Sequence, residues 1–239
     1  MLALSAMELR LTARRGENIL VTIVIPTAVL VFFATAGIFP AAAGRPVDFL
    51  LPGALALAVI ATGLVNLGIA TAYERNYGVL KRLGASPLPR WGLVGAKLGA
   101  VVVLELVQVV LLFLIGSLVL GWSAGQAASV PLFLTAMLLG TLAFTGLGLL
   151  LAGTLRAEAT LALANGLFLG FLMVGGIVLP VDHLPAPLEA VARILPAAAL
   201  SDLLRVALGT AGPVGWPLVI LATWAVAAAG LAIRTFRWE

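Results

Sequence analysis

Five polar side chains interrupt long apolar stretches of the sequence and are the first candidates for contact with a transported solute. Glu105 and Gln108 lie three residues apart, which places them on the same side of one helix. An ionisable group at membrane depth normally faces other protein groups or a water-filled cavity, so Glu105 is a candidate functional residue. Thr62, Asn66 and Asn165 are the other three candidates. All five are equally compatible with hydrogen bonds that hold neighbouring helices together.

The sequence lacks the motifs of common hydrolytic sites. It has no G-x-x-x-x-G-K-[ST] phosphate-binding loop, and the glycines and lysine of residues 92–100 have a different spacing. It also has no HExxH or G-x-S-x-G motif, no cysteine, and a single histidine, His183, which lies in a loop. Disulfides and any site that needs a thiolate or two histidines are therefore excluded. We expect no catalytic residue, no metal site and no cofactor in this chain, and we expect that it is not an enzyme by itself.

The composition indicates that these residues belong to a membrane protein. Apolar residues make up 62% of the 239 residues and charged residues 10%, whereas soluble domains have about 45–50% and about 25%. So few charges cannot cover the surface of a soluble fold. The net charge of +4 is explained by basic residues that flank membrane spans, and it does not indicate nucleic-acid binding.

Six apolar stretches are long enough to cross a membrane, since a spanning helix needs about 20 residues. The runs are continuously apolar, which excludes a β-barrel. The first run is longer than the core of a signal peptide, which has about 7–15 residues. We therefore predict an all-α polytopic membrane protein, with residues 1–239 as a single transmembrane domain. The predicted spans are approximately 19–39, 50–72, 98–120, 131–152, 159–180 and 214–233.

The basic residues predict the orientation of these spans. Eleven of the fourteen fall on the side that carries both termini and the loop after the second span, and three fall on the other side. This asymmetry predicts that both termini and the 73–97 segment are cytoplasmic, in a cytoplasmic (inner) membrane. The three exceptions are Arg45, Arg193 and Arg205.

Two further segments outside the spans have helical patterns. In residues 2–18, Leu4, Met7 and Leu11 recur at helical spacing among charged residues, which favours an interfacial helix over a solvated tail.

In the longest outer segment, residues 181–212, short outer helices are expected between spans 5 and 6. After Pro196 the apolar residues fall on one stripe and predict a helix that lies in the interface or dips back into the protein. Ser201 lies off that stripe, Asp202 and Arg205 form an i, i+3 pair off it, and Gly209 and Gly212 are expected to stop the helix. The stripe consists of Leu200, Leu203, Leu204, Ala207 and Leu208.

The loop after the second span combines charges with turn residues. Glu74 and Arg75 continue the span, Gly78 permits a bend, and residues 79–83 form one or two helical turns. Ser86–Pro87 then redirects the chain. An ordinary positive loop that only sets topology explains the charges. The turn residues and the apolar Leu80 and Leu83 favour a short helix that docks on a cytoplasmic partner.

The stretch ERNYGVLKRLGASPLP (residues 74–89) resembles the same loop in ABC-2-type transporter permeases, and most closely in drug- and antibiotic-resistance exporters. The matching positions are Glu74, Arg75, Gly78, Leu80, Lys81, Leu83, Ser86 and Pro87. The resemblance implies a coupling helix, which also includes Arg82, that docks on a separate cytoplasmic ATPase subunit carrying ATP and Mg. It implies a second permease copy, in a homodimer or a heterodimer, around a pathway often lined by the second and fifth spans. It also implies export of a hydrophobic or amphipathic substrate such as a drug, an antibiotic or a lipid.

Two other functions remain open from the residues alone. The chain is alternatively an ion-coupled carrier that uses Glu105, or a membrane scaffold that moves nothing. Few intramembrane charges and the absence of obvious repeat halves argue against the carrier.

Overall fold

The structure, a computed structural model, describes residues 20–36, 45–79 and 90–235. Regular structure in these ranges is helical. The predicted interfacial helix 2–18 and most of the predicted coupling segment, residues 80–89, lie outside the described residues. The helices, numbered in chain order, are α1 (a π-helical turn Leu20–Val24 continued by Ile25–Thr35), α2 (Pro46–Asn76), α3 (Arg90–Leu114, extended by a π-helical turn Ile115–Val119), α4 (Val130–Thr154), α5 (Ala157–Val174), α6 (Ala186–Ala192), α7 (Pro196–Ala207) and α8 (Gly215–Thr235).

Five helices are long and apolar enough to cross a membrane, namely α2, α3, α4, α5 and α8. The all-helical membrane architecture is therefore confirmed for the described part of the chain. The six-span layout is not, because the described apolar part of α1, Thr22–Thr35, is shorter than a span. At about 1.5 Å per residue it covers about 21 Å of a hydrocarbon layer of about 30 Å. The last residues of the predicted first span, 37–39, are not described.

The fifth predicted span is too long at its C-terminal end. Helix α5 ends at Val174, whereas the apolar run continues to residue 180. Gly175 donates its N–H to the carbonyl of Phe171, and Gly176 has a φ of +66°, in the left-handed region. This conformation suits glycine and ends the helix. Hydrophobicity alone does not reveal this turn because the residues after it are also apolar.

Helix α2 is the centre of the bundle, and every residue of its most apolar 18-residue window is buried. Its closest neighbour is α4, where glycines allow the two backbones to touch. A Cβ on Gly68 would lie 3.0 Å from the Cα of Gly148, and a Cβ on Gly63 would lie 2.8 Å from the backbone nitrogen of Thr145. Close packing of small residues is the usual way in which helices associate without a hydrophobic driving force.

Helix α3 shows the opposite character on its outer side. Only 28% of its most apolar window is buried. Because most of its exposed residues are aliphatic, this face suits contact with lipid rather than water. Between Arg90 and Leu114 the exposed aliphatic residues are Val102, Val103, Leu106, Val107, Val110 and Leu114.

Helix α7 confirms the helix predicted after Pro196 and packs inside the bundle against α2, α4 and α8. The predicted pair is present, with Arg205 Nη1 3.0 Å from Asp202 Oδ1. Ser201 and Arg205 are buried together with Leu200, Leu203, Leu204 and Ala207 of the apolar stripe, and Leu208 is partly buried. Arg205 also donates to the carbonyl of Gly176 and stacks on the ring of Phe49, 3.8 Å from its centroid. These partners on three segments explain why a charged residue is buried here.

The environment of the pair on α7 disfavours both charges. Burial lowers the pKa of Arg205 to about 10, and the neighbouring Asp202 opposes the change. Burial raises the pKa of Asp202, and Arg205 opposes that change. Gly209, with a φ of +105°, then turns the chain away from α7 as expected.

Candidate transport site

Two of the predicted pathway residues lie on a π-helical stretch in the middle of α2, Ala61–Leu67. Thr62 is fully buried, and its Oγ1 lies 3.0 Å from the carbonyl of Ala58 and 2.9 Å from Oε1 of Gln108. Asn66 is 7% exposed. Short π-helical insertions in α-helices occur frequently at functional sites. The position of Thr62 and Asn66 on such a stretch supports a functional role.

Gln108 joins three helices. Its Oε1 accepts from Thr62 on α2, and its Nε2 donates to the backbone carbonyl of Thr22 in the π-helical turn of α1. Gln108 is 2% exposed. These hydrogen bonds agree with the alternative that Gln108 holds neighbouring helices together, which the sequence left open. Gln108 therefore holds α1 and α2 against α3.

Glu105 faces a different helix from Gln108, although the two are three residues apart. Its Oε2 accepts a hydrogen bond of 2.6 Å from Oγ1 of Thr141 on α4. Its Oε1 is buried and has no hydrogen-bond partner among the described residues. A buried polar atom without a partner is costly, so the position calls for a functional or structural reason. The predicted pair is thus two separate contacts, Glu105 with α4 and Gln108 with α1 and α2.

The structure does not bring Asn165 into this group. Its Nδ2 donates to the carbonyl of Leu161, 3.0 Å away in the same helix, and its side chain is partly exposed on α5. His183 is also exposed, and its Nδ1 lies 3.4 Å from Oδ1 of Asp182. In the described ranges, no three His, Cys, Asp or Glu residues lie close enough together to hold a metal ion.

A small cavity lies between α2 and α3 and has a volume of about 30 Å³. Three of its lining residues are polar, namely Thr62, Asn66 and Lys97. The side-chain amide of Asn66 makes no hydrogen bond to another described residue. Lys97 was counted in the sequence only as a basic residue, and nothing in its spacing indicated a role. The apolar part of the lining consists of Leu67, Ala70, Ala100, Val101 and Leu104.

The first two residues of the predicted coupling motif face the protein interior. The carboxylate Oε2 of Glu74 lies 2.6 Å from Nζ of Lys97, and 15% and 10% of the two side chains are exposed. Arg75 donates to the backbone carbonyl of Leu155, the residue that follows α4. Both contacts fix the end of α2 to its neighbours. Glu74 and Arg75 thus make contacts within this chain.

Gly78 has the bend that the sequence predicts. Its φ is +69°, and its N–H donates to the carbonyl of Arg75 over 3.0 Å, so that α2 ends here. Val79 follows and is partly exposed. The remaining motif residues lie outside the described residues, and their docking role stays a prediction. They are Leu80, Lys81, Arg82, Leu83, Ser86 and Pro87.

The contacts group Arg75, Lys97 and Arg156 at one end of the bundle, which we call the basic end. At the opposite end, Arg45 donates a hydrogen bond of 2.8 Å to the carbonyl of Gly121, and α7 packs against the first part of α2. A polar site thus lies between α2 and α3, and it is continued by the Glu74–Lys97 pair at the basic end.

A comparison with known protein families identifies the group to which the chain belongs. The sequence model of the ABC-2 type transporter family matches residues 1–208. The chain belongs to this family. The resemblance found in the loop sequence is therefore confirmed, and with the apolar helices it makes the chain a multi-pass membrane protein and a membrane subunit of the ABC transporter type.

Individual relatives are named as permeases. The chain is 26% identical over 187 residues to "Probable multidrug ABC transporter permease YbhS" from Escherichia coli (strain K12), covering 77% of this chain and 49% of that protein. It is 31% identical over 137 residues to "Putative transport permease ycf38" from Porphyra purpurea, covering 56% of this chain and 47% of that protein. The chain spans about half the length of these curated relatives.

Proposed function

We propose that the chain is the membrane-spanning permease subunit of an ATP-driven exporter. It moves a hydrophobic or amphipathic substrate, such as a drug, an antibiotic or a lipid-like molecule, across the cytoplasmic membrane. The observation that carries this proposal is the family match over residues 1–208. The name of the relative from Escherichia coli, a probable multidrug permease, supports the substrate class.

In this proposal the nucleotide chemistry takes place on a partner. The sequence has no phosphate-binding loop of the G-x-x-x-x-G-K-[ST] type, so ATP and Mg bind to a separate cytoplasmic ATPase subunit. The loop that follows Gly78 docks on that subunit. The contacts of Glu74 and Arg75 support this role, because they anchor the start of the loop to α3 and to the end of α4. A movement of the loop would then reach both helices.

The proposed topology places the basic end in the cytoplasm, with both termini on the same side. The excess of lysine and arginine there supports this orientation. A second permease copy completes the pathway, as a homodimer or a heterodimer. The partly exposed Asn165 on α5 supports a contact with such a copy, since the amide groups that do not bond to Leu161 would lack partners in lipid.

Copurification tests the proposal. A tagged permease is expected to retain the ATPase subunit encoded beside it, and Leu80→Asp or Leu83→Asp is expected to release that subunit. The matched control is Leu188→Asp, which puts the same charge on an exposed leucine of α6, away from the basic end. The proposal fails if no ATPase subunit is retained by the unmodified permease, or if all three variants lose it equally.

The buried, unpartnered oxygen of Glu105 favours one alternative, an ion-coupled carrier. The carrier hypothesis predicts transport by this chain alone in liposomes, driven by a proton or sodium gradient and lost in Glu105→Gln. The exporter hypothesis predicts no such transport without the ATPase subunit and ATP.

A further inference from the structure

The cavity between α2 and α3 has the size and the polar groups of a hydrated site. Its volume of about 30 Å³ exceeds the roughly 10–15 Å³ that one water molecule requires. Asn66 is 7% exposed, and its amide has no hydrogen bond to another described residue. A buried amide without a protein partner is normally satisfied by water. The site therefore suits water and the small hydrogen-bonding groups of a solute.

The two sides of α2 are packed very differently along residues 62–70. Towards α4 the backbones touch at Gly63, Gly68 and Gly148, where even a methyl group would overlap. Towards α3 the same stretch faces the cavity. Separating α2 from α4 would break many close contacts, whereas separating α2 from α3 would break fewer because a gap is already present. The α2–α3 contact is the weaker boundary in this part of the bundle.

The Glu74–Lys97 ion pair closes this boundary at the basic end. Along α2 the cavity is lined by Thr62, Asn66 and Ala70, each about one turn nearer to the basic end, and Glu74 is one turn further on. Along α3 the corresponding last residue is Lys97, which lines the cavity and pairs with Glu74 over 2.6 Å. The pair therefore lies between the cavity and the surface of the basic end.

We propose that the cavity between α2 and α3 is a solvent-accessible site of the transport pathway and that Glu74 and Lys97 form its gate at the basic end. In the closed state the site holds water. When the ion pair separates, small hydrogen-bonding groups of a solute reach Asn66 from the basic end. The gate gives solutes an entry to the transport pathway, so this inference rests on the proposed function. Its test needs neither ATP nor a partner subunit.

Cysteine labelling tests the gate, because the chain contains no native cysteine. The reporter is Asn66→Cys, and the measurement is its rate of reaction with a small, water-soluble methanethiosulfonate in protein reconstituted in nanodiscs. The gate variant is the double substitution Glu74→Gln with Lys97→Met. It removes both charges together, because removal of one partner alone would leave an uncompensated buried charge. Since a charged hydrogen bond is lost, the labelling rate is expected to rise about tenfold.

Three controls separate gating from a general loosening of the fold. The charge exchange Glu74→Lys with Lys97→Glu is expected to restore slow labelling of the reporter. A second reporter, Ala70→Cys, lines the same cavity with a smaller change of side chain and is expected to respond in the same way. A cysteine in place of Thr145, which is 2% exposed at the α2–α4 contact, is expected to react slowly in every background.

The outcomes are decisive in both directions. Faster labelling at both cavity positions, slow labelling at position 145 and reversal by charge exchange would support the gate. The proposal is overturned if the double substitution leaves the cavity labelling unchanged, if position 145 becomes equally reactive, or if the cavity positions already react as fast as a His183→Cys control, at an exposed position outside the spans. Copurification of the ATPase subunit is measured on the unmodified permease and on the Leu80 and Leu83 variants, which keep the Glu74–Lys97 pair, so the two proposals fail separately.

Discussion

Substitution of Gly148 by alanine tests the backbone contact between α2 and α4. A Cβ on Gly148 would overlap the carbonyl oxygen of Gly63 and lie 3.2 Å from the Cα of Leu64. Both obstacles are backbone atoms, so no side chain can rotate away. Overpacking of this kind costs about 1–3 kcal/mol. Because the obstacles cannot move, we take the upper part of this range, about 2–3 kcal/mol. The greater helix propensity of alanine offsets up to about 1 kcal/mol, which leaves a net loss of about 1–2 kcal/mol.

The assay is thermal unfolding of the purified protein in detergent, at one fixed scan rate because membrane proteins often unfold irreversibly. For a chain of this length about 1 kcal/mol corresponds to about 2–4 °C, so Gly148→Ala is expected to lower the midpoint by about 2–8 °C. The matched control is Gly170→Ala on α5, where a Cβ would meet no described atom within 4 Å. It is expected to raise the midpoint slightly. A midpoint for Gly148→Ala at or above that of the unmodified protein would refute the close packing of α2 on α4.

Three further predictions use the buried polar contacts, and the first two are measured with the same unfolding assay. Glu105→Gln is expected to keep the midpoint within a few degrees, because its amide can donate to Thr141. Thr141→Val removes the one hydrogen bond that the Glu105 side chain makes to a described residue and is expected to lower the midpoint by about 2–8 °C. Arg205→Met removes the hydrogen bonds to Asp202, whose side chain is 46% exposed, and to the carbonyl of Gly176, and it is expected to cost about 1–3 kcal/mol. The double variant with Asp202→Asn is expected to recover part of that loss. Gln108→Leu removes the bridge from α3 to α1 and α2 and is expected to increase proteolysis near residue 20, measured by mass spectrometry of the fragments.

Each of these predictions has a result that contradicts it. Equal midpoints for Thr141→Val and the unmodified protein would mean that the 2.6 Å contact of Glu105 contributes nothing. No recovery in the double variant of Arg205 and Asp202 would mean that the pair does not explain the burial of the arginine. Unchanged cleavage near residue 20 in Gln108→Leu would show that α1 is held by other contacts.

Features that depend on one segment at a time could be predicted from the sequence. Apolar runs located the long helices, and the stripe from Leu200 to Leu208 located α7. The loop motif identified the family, and Gly78 has the left-handed conformation that the predicted bend requires. These features are local, because they follow from periodicity or from the conformational preference of one residue type.

Features that depend on two segments were not predictable from the pattern. Glu105 and Gln108 share one side of α3, but their neighbours are α4 in one case and α1 and α2 in the other. Lys97 gave no signal, because its partner Glu74 is 23 residues earlier in the chain. Arg205 was expected off the buried stripe, yet partners on three segments hold it in the interior. Such contacts are set by how the helices pack, which spacing along the chain does not specify.

Whether transport requires ATP and the partner subunit is the most direct test of the proposed permease function. The measurement compares the release of substrate in proteoliposomes that contain the permease alone with release in proteoliposomes that contain the permease and its ATPase subunit. The account predicts transport only with both subunits and ATP, and loss of that transport in Leu80→Asp. Transport by the permease alone, driven by an ion gradient and insensitive to ATP, would contradict it.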